Sequence, residues 1–180
     1  MVAFRAFLRR IAPFAVVALL FALALPAGLP GQEAAAPCSA PEYRQFDFWL
    51  GEWEVTNPSG EIVGKNTITS TIGGCAVHER WEGAKGGTGE SVNAYDRLTN
   101  TWHQTWVGDR GLVLRLEGVL RDGSMVLEGE TARPDGTSLQ RITWTPAADG
   151  SVRQFWESSA DDGQTWTVSF DGTYREIESP

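Results

Sequence analysis

The chain has 180 residues, 21% of them charged and 42% hydrophobic, with eight tryptophans, two cysteines and a formal net charge of −8. That length fits one domain with a sizeable core. The acidic balance excludes nucleic acid and anionic membrane surfaces as partners, because both select basic patches.

The first elements are not part of that domain. Arg5, Arg9 and Arg10 precede a run of fifteen almost wholly apolar residues, Ile11 to Leu25, and then PAGLPGQEAAAP supplies small residues and prolines. This order reads as a secretory signal peptide over residues 1–31, with cleavage near Ala27 or Gly31. The apolar run falls short of the roughly 20 residues that span a bilayer, so no stable membrane span is expected after cleavage; a retained anchor is the alternative. The leader holds three arginines and no acid, so its loss takes the net charge from −8 to −11. Residues 32–45 read as a linker segment and 46–177 as the folded domain.

Cys38 and Cys75 are the only cysteines. Export places them in an oxidising compartment, periplasmic or extracellular, which predicts a disulfide between them. The alternative is a buried thiol at Cys75 and a free, exposed one at Cys38.

Phe46 to Val55, FDFWLGEWEV, sets four aromatic residues around Gly51. A glycine mid-helix costs about 1 kcal/mol, and a solvated loop has no place for that aromatic surface, so this stretch leads into a strand whose tryptophans are covered. Beyond it no helical periodicity appears. Short runs rich in Val, Ile, Thr and Trp alternate with turn signals such as Asn57-Pro58-Ser59-Gly60, Gly73-Gly74, Asp122-Gly123, Pro134-Asp135-Gly136, Asp149-Gly150 and Asp162-Gly163. Such turns between alternating runs predict tight hairpins. Ten strands follow, near 49–56, 62–72, 75–82, 90–96, 101–107, 112–119, 124–131, 138–145, 151–158 and 165–175. Ten short sequential strands favour an all-β, closed up-and-down antiparallel barrel, because closure removes the edges. An immunoglobulin-like sandwich, with fewer strands and longer crossovers, is the runner-up.

Gly51-Glu52-Trp53 at the head of the first strand resembles the Gly-x-Trp signature of lipocalins and fatty-acid-binding proteins, in which the tryptophan plugs the closed end of the barrel. The resemblance implies a partner arginine from the last strand, and Arg175 occupies that position. Asp47-Phe48-Trp49-Leu50-Gly51-Glu52-Trp53 and Tyr95-Asp96 are further similar to an uncharacterised group of exported bacterial proteins of lipocalin-like fold, for which the resemblance implies no chemistry. Fatty-acid-binding proteins hold a carboxylate with an Arg-x-Tyr pair, whereas Tyr174 and Arg175 are adjacent and point to opposite faces, so a fatty-acid ligand does not follow. Haem-binding barrels of the nitrobindin type use a late histidine; none follows His103 here, and no cofactor or metal is expected.

Ser159-Ala160-Asp161-Asp162-Gly163-Gln164-Thr165-Trp166 matches the Asp-box of sialidase propellers. A single copy reads as a hairpin clip, with side chains bonding the turn backbone, rather than as a catalytic centre. His78 and His103 read as surface or barrel-end residues. No serine lies in a strand-to-helix elbow and no phosphate-binding loop precedes a helix, so neither triad nor nucleotide chemistry is indicated.

Candidate ligand-binding residues come from strand parity. Trp102, Gln104 and Trp106 share one face, as do Glu79 and Trp81, Gln154 and Trp156, and Arg115 and Glu117. With these faces inward, the lumen is a Trp-lined polar pocket, and Trp81, Trp102, Gln104, Trp106, Arg115, Gln154 and Trp156 contact the ligand. With them outward, leucines such as Leu112, Leu114 and Leu116 fill a solid core. The expected function is non-catalytic binding of a small, partly apolar or aromatic molecule. The alternatives are a lumen hydrolase or isomerase with Glu79 or Glu117 as general base, and an interaction module of the envelope.

Overall fold

The computed structural model describes residues 36–177. They form ten antiparallel strands: β1 (Gly51–Thr56), β2 (Ile62–Thr71), β3 (Ala76–Gly83), β4 (Thr88–Asp96), β5 (Thr101–Gly108), β6 (Val113–Arg121), β7 (Ser124–Arg133), β8 (Gly136–Pro146), β9 (Val152–Ser159) and β10 (Thr167–Glu176). Each strand pairs with its sequence neighbours, and β1 pairs with both β2 and β10, so the sheet closes on itself. This is the expected up-and-down barrel, and it is consistent with a lipocalin-like fold. The proposed signal peptide lies outside the described residues. Among the described residues no helix is long and apolar enough to cross a membrane.

One end of the barrel is plugged by the chain that enters it. Short 3-10 turns at Pro41–Arg44 and Asp47–Trp49 carry Phe46 and Trp49 into the interior, where both are fully buried. Phe46 stacks on Trp49 at 5.0 Å between ring centroids and meets Trp102 and Trp144 edge-on at 5.6 and 5.2 Å. Offset and edge-on contacts of this kind add roughly 0.5–1.5 kcal/mol each to the apolar burial. The opening motif of the domain thus finds its cover inside the barrel's own end.

Cys38 and Cys75 are joined in a disulfide, which ties the plug segment to the β2–β3 connection. The Arg44 guanidinium reinforces the same junction by donating to the Gly74 carbonyl. The bond fits an oxidising compartment. It closes a loop with a sequence separation of 37 residues, and loop-closure entropy makes such a bond stabilising by about 3 kcal/mol. Reducing it, or replacing both cysteines with serine, is expected to lower urea-unfolding stability by that amount while leaving the barrel's circular dichroism intact. A change below 1 kcal/mol would mean that the plug is held by its aromatic contacts alone.

Arg175 does not partner Trp53. It lies on the outer face and pairs with Asp149 at 3.2 Å, with over half of its side chain exposed. Parity is the cause: Tyr174 points inward and meets Trp53 edge-on at 6.3 Å, so its neighbour must point out. The tyrosine, not the arginine, packs against the Gly-x-Trp tryptophan.

Candidate functional site: an aromatic lumen over a polar floor

Above the plug the barrel is not filled. A cavity of about 380 Å³ opens at the far end, between the β3–β4 and β5–β6 loops, a volume within the range of small-molecule pockets. Its walls repeat one local pattern. Glu79-x-Trp81 on β3, Gln104-x-Trp106 on β5 and Gln154-x-Trp156 on β9 each set a polar side chain two residues from a tryptophan on the same inward face, and all six line the cavity. Since β3, β5 and β9 all run from the plugged end to the open end, the polar member always lies deeper. The result is a polar floor beneath an aromatic ring, completed by Tyr174 below and Phe170 above. Leu114 and Ile142 supply aliphatic surface on β6 and β8.

The sequence-derived residues divide accordingly. Trp81, Gln104, Trp106, Gln154 and Trp156 line the cavity. Trp102 is buried at the plugged end, against Phe46 and Tyr95, with its indole N–H donated to Gln45 Oε1 at 3.1 Å. Arg115 is exposed on the outer face, because β6 turns Leu114 and Leu116 inward. Inward faces are therefore polar and aromatic on β3, β5 and β9, yet aliphatic on β6 and β7, so each of the two parity readings holds for part of the barrel. Glu117 is also outside, 3.6 Å from His103. His78 is on the outer face too, 3.0 Å from Glu90.

The large indoles fit because glycines on neighbouring strands make room. A Cβ on Gly89 would stand 2.2 Å from the Trp106 ring, and one on Gly64 would stand 2.5 Å from Trp81. Gly89→Ala is expected to cost about 1–3 kcal/mol and to displace Trp106 into the lumen. The check is a shift of the tryptophan emission together with urea unfolding; unchanged emission would mean that Trp106 already leans elsewhere.

The floor is a connected hydrogen-bond network. Glu79 is only 4% exposed. Its Oε1 accepts from Asn66 Nδ2 at 2.8 Å and its Oε2 from the Ser91 hydroxyl at 2.6 Å. Asn93 donates to Ser91 Oγ at 2.9 Å, and Gln104 donates to Asn93 Oδ1 at 2.8 Å. On the other side the Asn66 amide also reaches the Tyr174 hydroxyl at 3.3 Å, and that hydroxyl donates to Gln154 Oε1. Burial pushes the Glu79 carboxyl up to about 7, with the Ser91 and Asn66 donors opposing it. Burial likewise holds the Tyr174 hydroxyl well above its ordinary value, so it stays neutral. Asn66 Oδ1 is buried without a donor among the described residues. Turning that amide over would hand this oxygen to a proton on Glu79, so the site has a partner for the neutral acid as well.

Asn66, Ser91, Asn93, Tyr174 and Phe170 are site residues that strand parity alone did not single out. The signal available was the phase shared by Glu79-x-Trp81, Gln104-x-Trp106 and Gln154-x-Trp156. Once those faces are inward, antiparallel register brings Asn66 beside Trp81, and Ser91 beside both Glu79 and Trp106.

At the rim, the Asp-box acts as a clip. Asp161 accepts from the Thr165 backbone N–H at 2.8 Å and its hydroxyl at 2.7 Å, while Ser159 Oγ accepts from the Gly163 N–H at 2.9 Å. The Trp166 indole donates to the Gly163 carbonyl at 3.1 Å, and Arg141 lies 4.0 Å over its ring. Thr165 hydrogen bonds bring the Asp161 carboxyl down to about 2. All of its polar reach is spent on the β9–β10 loop, which leaves it a fastener of that loop.

In comparisons with known proteins, no family model matches the chain and no curated protein matches it.

Proposed function

We propose that the barrel is an exported carrier or sensor that binds one small, partly apolar or aromatic molecule in its lumen, without transforming it. The observation that carries this reading is the 380 Å³ cavity itself, with three tryptophans around its upper wall and the hydrogen-bonding side chains of Glu79, Gln104, Gln154 and Tyr174 at its base. Such a cavity buries an apolar body and fixes its orientation with a few polar contacts. The leader, the disulfide and the acidic surface support a periplasmic or extracellular setting. The Asp47–Trp53 and Tyr95–Asp96 motifs support kinship with the exported lipocalin-like group.

The test uses a neutral apolar dye, N-phenyl-1-naphthylamine. Its emission should rise on mixing with the mature protein, and Leu114→Trp, which fills the lumen without altering the outer face, should abolish the rise. Equal enhancement by wild type and Leu114→Trp would place the dye on the surface and remove support for a lumen site.

A second reading, a lumen isomerase or hydrolase, is favoured by Glu79 alone: a buried carboxyl with a value near 7 suits a general base. Its mark would be turnover that disappears in Glu79→Gln while binding persists.

A further inference from the structure

The floor of the cavity is rich in acceptors and poor in positive charge. Glu79 makes no ion pair among the described residues. The groups packed against it from the neighbouring strands are uncharged: Asn66 from β2, Ser91 and Asn93 from β4, and Tyr174 from β10. His78 adjoins it in sequence but points outward to Glu90. Beside Glu79, Asn66 Oδ1 is a buried acceptor without a donor among the described residues. A buried carboxylate is costly unless something compensates it, and here the open side of the cavity is where compensation can arrive. Directly above stand Trp81, Trp106 and Trp156, and ring faces attract cations, most strongly where water is excluded. Phe170 also lines the cavity and meets Trp81 at 85° and 5.9 Å between ring centroids, which extends the aromatic wall to β10.

We propose that the ligand is a compact organic cation, an amine or ammonium group on an apolar body, whose positive end sits on the Glu79 carboxylate within the tryptophan ring. This rests on the lumen-binding reading and names the chemical class that the lumen selects. A body the size of one aromatic ring and a short chain fits the cavity. The net charge of −8 favours approach of a cation over an anion. Among the described residues, Arg110 is the one cationic side chain on the cavity lining; it belongs to the β5–β6 loop at the mouth, next to Asp109, so the charge preference is set at the floor.

Three probes of similar size test the inference: 2-phenylethylamine, 2-phenylethanol and phenylacetate, titrated at pH 8 by calorimetry and tryptophan quenching. The amine is expected to bind at least about tenfold tighter than the alcohol, a difference of about 1.4 kcal/mol, with phenylacetate weakest. Glu79→Gln should bring amine and alcohol to within about twofold of each other. In the wild type, amine affinity should fall about tenfold from pH 8 to pH 6, as a carboxyl near 7 passes from mostly ionised to mostly protonated while the amine stays charged. This second readout does not depend on the variant. Alcohol or phenylacetate binding as tightly as the amine would overturn the cation inference and leave lumen binding standing. Failure of all three probes, in a protein whose lumen does take up the neutral dye, would overturn it as well.

Discussion

Trp53→Ala is expected to destabilise the domain by about 3–5 kcal/mol in urea unfolding. The indole is 3% exposed, its N–H is donated to the Trp49 carbonyl at 3.0 Å, and its ring meets Tyr174 edge-on. Truncation therefore removes the apolar payload, leaves a void beneath the plug, and strips the Trp49 carbonyl of its buried donor. Gly51 explains the spacing of the motif. Its φ is +144°, a region that side chains avoid, and a Cβ there would lie 3.3 Å from the Trp53 ring. The glycine lets the strand start close against the indole it covers. Trp106→Ala is the control: that side chain is half-buried on the cavity wall, and its loss should cost less, about 1.5–3 kcal/mol. Equal effects from the two substitutions, or a Trp53→Ala effect below 1 kcal/mol, would contradict the division into a packed plug and an open lumen.

Glu79→Gln is expected to stabilise the protein at pH 8 and to be near neutral at pH 4. The sign follows from proton linkage. Burial raises the Glu79 carboxyl from 4.5 to about 7 in the folded chain. Between these values the folded state binds more protons than the unfolded one, so stability falls as pH rises through this window. The full loss approaches roughly 3–4 kcal/mol above pH 7. Glutamine has no such charge to bury, and it keeps hydrogen bonds to Ser91 and Asn66 once the Asn66 amide turns. The difference between variant and wild type, followed by urea unfolding from pH 4 to pH 8, isolates this group from exposed ones such as Asp149, whose carboxyl Ser151 holds down at about 2. Parallel pH profiles for variant and wild type would mean that the folded carboxyl titrates normally and that water reaches it freely.

Strand number, order and turns were legible because they rest on local chemistry. Asp122-Gly123 lies between β6 and β7, and Asp149-Gly150 lies between β8 and β9, each where a hairpin needs backbone that glycine tolerates. Strand phase was only half legible. Alternation separates Arg115 and Glu117 from Leu114 and Leu116, but it says nothing of which set faces in. On β6 the aliphatic set wins, since Leu114 pairs with Trp106 across the strands, whereas on β3 the interior accepts Glu79 because β2 and β4 bring Asn66 and Ser91 to it. Depth along the barrel axis was not legible at all. Trp102 and Trp106 share a face of β5, yet one meets the Phe46 plug and the other lines the cavity. That difference depends on how far the entering chain reaches into the barrel, which no single strand encodes. Arg175 shows the same limit in reverse: it stands where the resemblance implies a partner arginine, but the inward place against Trp53 belongs to its neighbour Tyr174.

The central claim is that the lumen is a binding site, and native mass spectrometry tests it most directly. The protein, purified from cells in native conditions, is weighed before and after denaturation, with Leu114→Trp treated in parallel. The account predicts a small molecule that leaves on denaturation, is absent from Leu114→Trp, and carries a basic nitrogen. An apo mass in both proteins, unchanged after soaking in a mixture of amines, alcohols and acids, would contradict it.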